Sequence, residues 1–87
     1  MDKLQGMQLF TRVVESGSFT TAAEQMGMSR ALASKVIRNL EEARGVRLLK
    51  RTTRRVSLTD PGRNYYQRVS EILTQLSEVE AEAANLQ

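Results

Sequence analysis

The side chains with the most evident chemistry are cations. From Arg44 to Arg55, six bases fall within twelve residues with no acid among them, and the next acid is Asp60. Leu48, Leu49, Val56 and Leu58 lie between and beside those charges and have strand character. "RLLKR" and "RRVSL" therefore read as two short strands joined at Thr52–Thr53. A hairpin with this much like charge repels itself, and a polyanion laid along it would relieve the repulsion. Lys50, Arg51, Arg54 and Arg55 would then face phosphates. Thr52 and Thr53 at the tip could donate to phosphate oxygens or reach a minor groove, as Arg54 could. A solubilising basic loop is the plain alternative.

A second group of donors stands just upstream. On a helical wheel for residues 30–44, Leu32, Ala33, Val36, Ile37, Leu40 and Ala43 share one face, expected to be core. The opposite face shows Ala31, Ser34, Lys35 and Arg38, flanked by Arg30, and Ser29 stands at the helix start. The exposed positive charge is confined to the first half, and Glu41 and Glu42 occupy the second. A helix entering a major groove tip-first needs this layout: Arg and Lys donate to guanine O6 and N7, and Ser serves any base. The helix N-terminus adds partial positive charge toward phosphates. Alone, the pattern fits an ordinary amphipathic helix equally well; the basic hairpin that follows favours nucleic acid. The hydroxyls of Ser18, Thr20 and Thr21, at the start of the preceding helix, are assigned to the same surface.

The totals narrow the chemistry further. The 87 residues contain no Cys and no His, which removes thiolate chemistry, disulfides and the commonest general base and metal ligand. No carboxylate pair in an apolar pattern and no phosphate-cradling Gly-rich loop is present, so catalysis is not expected, nor any metal or cofactor. No run has membrane-span character and no signal-peptide pattern opens the chain, which reads as cytoplasmic. The net charge of +3 is unevenly placed. All 13 bases lie in residues 1–70 against six acids, and residues 71–87 hold four Glu and no base. Mildly basic small domains are common, but this clustering suggests a polyanion partner for the body alone.

The elements that must position these groups are mostly helices. Leu4, Met7, Phe10, Val13 and Val14 predict a first helix over residues 2–15, stopped by "SGS" at Ser16–Ser18. Ser18 or Thr20 caps a short second helix, with Ala22, Ala23 and Met26 as its apolar face. Gly27 supplies a left-handed turn, Ser29 caps the third helix and Gly45 ends it. Helix, short turn and helix make a helix-turn-helix signature. Thr59 caps a last helix from about Asp60 to the chain end, with Pro61 in its first turn. No internal repeat, low-complexity segment or Pro/Gly-rich linker interrupts the chain.

That last helix carries a separate signal. Tyr65, Val69, Ile72, Leu76, Val79, Ala83 and Leu86 are spaced 4, 3, 4, 3, 4, 3, a heptad seam. Tyr66 and Leu73 lie off the seam and could pack back on the body. At 1.5 Å per residue the helix would be roughly 35–40 Å long, too long to lie wholly on so small a domain. The seam is therefore expected to pair with a second copy, and a short parallel pair would bring Glu80 against Glu80 near it.

Ser16 to Gly62, "SGSFTTAAEQMGMSRALASKVIRNLEEARGVRLLKRTTRRVSLTDPG", resembles the N-terminal domain of LysR-type transcriptional regulators. The family's G-S-F-x-x-A-A start falls at Gly17–Ala23, and its two serines five residues apart at Ser29 and Ser34. Its I-x-x-L-E-x-x-x-G falls at Ile37–Gly45, and its L-F-x-R and L-T-x-x-G at "LLKR" and "LTDPG". Four positions depart from the pattern. Arg30 and Ala31 replace a common Gln-Pro pair, Leu49 replaces Phe, and Lys35 stands where Arg is frequent. Arg30 could read guanine where Gln favours adenine.

The resemblance implies a mainly α winged helix-turn-helix: a three-helix body and two-stranded wing over residues 1–59, and a linker and dimerisation helix over 60–87. It implies a homodimer on double-stranded operator DNA, its two last helices pairing antiparallel. It also implies a small-molecule co-inducer that binds only a C-terminal domain not encoded here, the chain being a DNA-binding fragment of a longer bacterial regulator. The reading is sequence-specific DNA binding at an inverted repeat, with the third helix in the major groove and the wing on the backbone or minor groove. The alternatives are a nucleoid-type protein that binds nucleic acid without sequence preference and a dimerising adaptor whose basic face meets an acidic protein.

Overall fold

The computed structural model describes residues 2–51 and 55–85. Four helices and one hairpin follow in the order α1 (Lys3–Ser16), α2 (Phe19–Gln25), α3 (Arg30–Arg44), β1 (Leu49–Arg51), β2 (Val56–Leu58) and α4 (Asp60–Asn85). Each helix starts where a side-chain oxygen takes up an orphan backbone N–H. Asp2 Oδ1 accepts from Leu4 N (3.0 Å), Ser18 Oγ from Thr21 N (3.1 Å) and Ser29 Oγ from Leu32 N (3.1 Å). Thr59 Oγ1 accepts from Gly62 N (3.0 Å) and donates to the Arg47 carbonyl (2.6 Å), so one hydroxyl starts α4 and closes the base of the hairpin. The turn between α2 and α3 passes through Gly27 at φ 70°, the left-handed conformation expected there.

The first three helices pack on one another around Leu9, Phe10, Val13, Phe19, Ala22, Ala23, Ala33, Val36, Ile37 and Leu40, and Leu48 and Leu49 join this core from the hairpin. The strands pair antiparallel with Leu49 opposite Leu58, Lys50 opposite Ser57 and Arg51 opposite Val56. This is a winged helix-turn-helix. Each strand spans three residues, against the five-residue runs expected from sequence. At the base of the hairpin the Leu48 carbonyl still accepts from Thr59 N in the same register, but the N–H groups of Leu48 and Leu49 are taken by Glu41. The expected turn at Thr52–Thr53, and Arg54 beside it, lie outside the described residues.

Two expectations about burial need correction. Leu32 is 45% exposed and Ala43 is also exposed, although both were assigned to the core face of α3. Conversely Glu41, assigned to the polar half, is 4% exposed. The cause is the hairpin. It covers the Glu41 flank of α3 with Leu48 and Leu49 and leaves the opposite flank open, so the buried stripe is rotated away from the one that hydrophobicity alone marks.

The second correction concerns the heptad seam. Tyr65 and Val69 face their own body: the Tyr65 ring meets Phe10 edge-on at 5.3 Å, and Val69 is 2% exposed. Tyr66, expected off the seam, does pack on the body, edge-on to Phe10 at 6.4 Å with its hydroxyl donating to Glu15 (3.1 Å). Burial raises the Tyr65 hydroxyl above its usual pKa of 10.0, against the nearby Arg44 charge, so it stays neutral at physiological pH. Further along, Leu76 is half-buried beside Leu73 in a groove against Leu4 of α1, while Ile72 (51%) and Val79 (56%) stand exposed. Only the later part of the seam is thus open. Leu86 lies outside the described residues.

Gly62 holds the join between hairpin and α4. A Cβ built there would lie 1.9 Å from the Leu48 carbonyl oxygen and 2.8 Å from its carbon, both backbone atoms that cannot swing aside. The helix can approach the hairpin this closely only without a side chain. We expect Gly62→Ala to destabilise the chain by about 3 kcal/mol, read from urea unfolding. A change below about 0.5 kcal/mol would contradict the packing, being what a surface substitution gives.

Candidate nucleic-acid interface

The donors of α3 are set by its cap and by helical spacing. Because Ser29 starts the helix, Arg30, Ala31, Lys35 and Arg38 emerge exposed on the face away from the core, with Ser34 half-buried among them. No acid lies on that face before Glu42. The free N–H groups of the first turn point along the axis, out of the N-terminal end of α3 that Arg30 and Ala31 flank. Ser18 and Ser29 are committed to capping, so each hydroxyl oxygen already accepts a backbone N–H and keeps its proton to donate. Thr20 and Thr21 are exposed on the first turn of α2.

Strand alternation divides the wing's cations. Side chains two apart share a face of a strand, so Leu49, buried, fixes the direction of Arg51, and Lys50 between them points out. The exposed Lys50 lies opposite Ser57, and Arg55 is also exposed. Arg51 instead turns toward the body, where its Nη2 meets Glu41 Oε1 at 3.0 Å and its guanidinium lies 5.7 Å from the Phe19 ring centroid. The six-base run is therefore not one uniform phosphate surface. Arg51 is engaged by its own fold, and Thr52, Thr53 and Arg54 lie outside the described residues.

Glu41 and Phe19 are the residues that sequence reasoning missed. Glu41 Oε2 accepts from Leu48 N (2.8 Å) and Leu49 N (3.1 Å), Oε1 takes Arg51, and Arg47 Nε stands at 3.7 Å. One carboxylate thus satisfies two buried backbone donors and balances the nearest guanidinium. The signal was available: an acid beside Leu40, on the helix flank that the hairpin must cover. It was masked by the adjacent Glu42, which is exposed. Phe19, the first residue of α2, receives the Arg30 guanidinium at 5.8 Å.

Among the described residues, no group of three or more His, Cys, Asp or Glu could hold a metal, and no helix is long and apolar enough to cross a membrane. What the surface offers is cationic and hydroxyl donors on two adjoining elements, locked together by Glu41. Removing that carboxylate leaves two buried N–H groups without an acceptor, each costing about 1–3 kcal/mol. We expect Glu41→Ala to destabilise by about 2–4 kcal/mol, and Glu41→Gln, which keeps one acceptor oxygen, by less. Urea denaturation of both variants checks the order, and equal losses would show that the backbone hydrogen bonds do not matter.

Residues 4–63 match the family described as bacterial regulatory helix-turn-helix protein, lysR family. The chain is 46% identical over 76 residues to the HTH-type transcriptional regulator CrgA of Neisseria meningitidis serogroup C, a match covering 87% of this chain and 25% of that protein. It is 43% identical over 79 residues to the HTH-type transcriptional activator AaeR of Escherichia coli, covering 91% and 26%. The chain spans about a quarter of the length of these curated relatives. Its fold matches that of the BenM DBD in the crystal structure with benA site 1 DNA, with a TM-score of 0.90 and 32% identity over 99% of this chain and 96% of that one. With more than half of its length matched and the winged fold in common, the chain belongs to the lysR family of bacterial regulatory helix-turn-helix proteins.

Proposed function

We propose that this chain is the sequence-specific DNA-binding part of a bacterial LysR-type transcriptional regulator, acting in the cytoplasm by binding rather than catalysis. The N-terminal half of α3 enters the major groove, where Arg30, Ser34, Lys35 and Arg38 face base edges and flanking phosphates. The wing follows the backbone through Lys50 and Arg55, with Thr52, Thr53 and Arg54 toward the minor groove. Ser18, Thr20, Thr21 and Ser29 donate to phosphates. The observation that carries this reading is the segregation of charge on α3, where four exposed or half-exposed donors precede any acid on the outward face. The DNA complex of the similar BenM DBD supports it.

Two copies join through α4. Ile72 and Val79, exposed on the single chain, with Leu76 and Ala83 beside them, pair with the same residues of a second copy. The two heads then read an inverted repeat, half-sites lying on one DNA face about one helical turn apart. A co-inducer belongs to a domain outside this chain. A nucleoid-type binder would show no preference against excess bulk DNA, and a dimerising adaptor would not bind DNA at moderate salt.

The wing and the helix should fail differently. Lys50→Ala is expected to weaken binding to all sequences alike and to flatten the log–log salt dependence by about 0.9. Ser34→Ala is expected to change base preference at one base pair by about 1–3 kcal/mol. Selection from a random DNA pool, followed by titrations at several salt concentrations, separates the two. If Ser34→Ala lowers affinity with preference intact, α3 only positions the domain.

Val79→Lys tests the pairing with little risk to the fold, because Val79 is exposed on the single chain. We expect a folded, helical monomer in sedimentation at tens of micromolar, where the unmodified chain is a dimer. DNA affinity should fall steeply, since two tethered heads gain effective concentration that one head lacks, while base preference is retained. An unmodified chain that sediments as a monomer removes both the dimer and the inverted-repeat site.

A further inference from the structure

Arg30 is the exposed first residue of α3. Its guanidinium is not left loose in solvent. The Cζ atom lies 5.8 Å from the centroid of the Phe19 ring, within the range of a cation–π contact. The ring belongs to the first turn of α2 and is 8% exposed, packed in the core with Ala22 and Ala23. Its position is therefore fixed by the body, and it offers the long, flexible Arg30 side chain a rigid surface.

Arg51 approaches the same ring, at 5.7 Å. Two guanidiniums over one aromatic ring would ordinarily repel each other. Here Arg51 is balanced by Glu41 at 3.0 Å, which leaves Arg30 as the cation with unspent charge. Arg30 and Glu41 are eleven residues apart, close to three full turns, so they lie on the same flank of α3. The chain from Glu41 through Arg51 and Phe19 to Arg30 runs from the base of the wing to the leading tip of α3.

We propose that Phe19 is a positioning residue for base reading: it holds the Arg30 guanidinium in place before DNA arrives, so that its planar fork meets a guanine edge at little further cost in side-chain freedom. The proposal rests on the reading of α3 as the groove-entering helix and adds the source of discrimination at its first residue. An Arg with a free side chain must lose rotamer entropy on binding. The contact with Phe19 removes part of that loss in advance. A cation–π contact at this distance leaves the in-plane N–H donors of the guanidinium unused, so it does not consume the donors that O6 and N7 require.

The test has one arm without DNA and one with it. In NMR spectra of the free, unmodified chain, the Arg30 Hδ protons should be shifted upfield by the ring current of Phe19, and the shift should vanish in Phe19→Leu. A random-coil Arg30 shift in the folded chain overturns the proposal, and this measurement stands even if Phe19→Leu fails to fold. With DNA, the preference for guanine over the other bases at the Arg30 position is measured for the unmodified chain, Phe19→Leu, Arg30→Gln and the double variant. Phe19→Leu should lower that preference about two- to fivefold where Arg30 is present and leave preference unchanged in the Arg30→Gln background. An equal change in both backgrounds would mean that Phe19 acts only through the fold, and overturns the proposal. Absence of specific DNA binding by the unmodified chain overturns the underlying reading instead; the NMR arm tells that failure from a failure of the contact.

Discussion

Glu41 is the one charged side chain that is buried among the described residues, and its carboxylate decides where the wing lies. Burying a lone carboxylate is costly, and the cost is met only when donors surround it. Here they come from the start of β1: two backbone N–H groups within 3.1 Å and the Arg51 guanidinium at 3.0 Å. The dependence runs in both directions. Without Glu41, the N–H groups of Leu48 and Leu49 have no acceptor under the core; without the hairpin, Glu41 has no donors. The wing is thereby fixed to α3 itself and does not hang from a flexible connection. The groups on α3 that face outward and those on the wing keep a constant relation, as a surface that must match one groove and its flanking backbone requires.

A second consequence follows from strand alternation. The hairpin read as a block of like charge is divided by its register into two roles. Lys50 points outward, while Arg51 turns in to meet Glu41 and Phe19. Self-repulsion is thus reduced by the fold before any polyanion arrives. The remaining outward charge is smaller than the sequence count suggests, and it is better placed.

The elements were legible in the sequence because their determinants are local. Ser18, Ser29 and Thr59 cap the helices that follow them, and Gly27 takes the left-handed turn, all within four residues of the feature they control. The failures share the opposite property. Leu32 and Ala43 are open, and Glu41 is closed, because of where the hairpin lands, which no helical wheel contains. Tyr65 and Val69 fit the heptad seam in spacing but are consumed by Phe10 and the body. Gly62 matched a family pattern, yet its reason, a backbone carbonyl 1.9 Å from where a Cβ would lie, appears only when hairpin and helix are placed together. The donors of α3 were legible for the same local reason as its cap. The approach of Arg30 to Phe19 was not, since it joins two helices.

The packing of Tyr65, Tyr66 and Val69 also gives α4 its direction. Tyr66 is held by Glu15 and both rings by Phe10, so the early part of the helix is fixed against α1 at three points. From there α4 continues unbroken to Asn85 without Gly or Pro after Gly62. A continuous helix transmits orientation as well as length. The exposed Ile72 and Val79 are therefore held at a set angle to the tip of α3, although they touch nothing near it. One residue inserted between the anchored and the exposed parts would turn the apolar stripe by about 100° and lengthen the arm by about 1.5 Å. The turn matters more than the length, because it would carry the stripe off the face proposed to meet a second copy. The anchoring of the early seam residues, at first sight a loss to that proposed surface, is what gives the later ones a defined place.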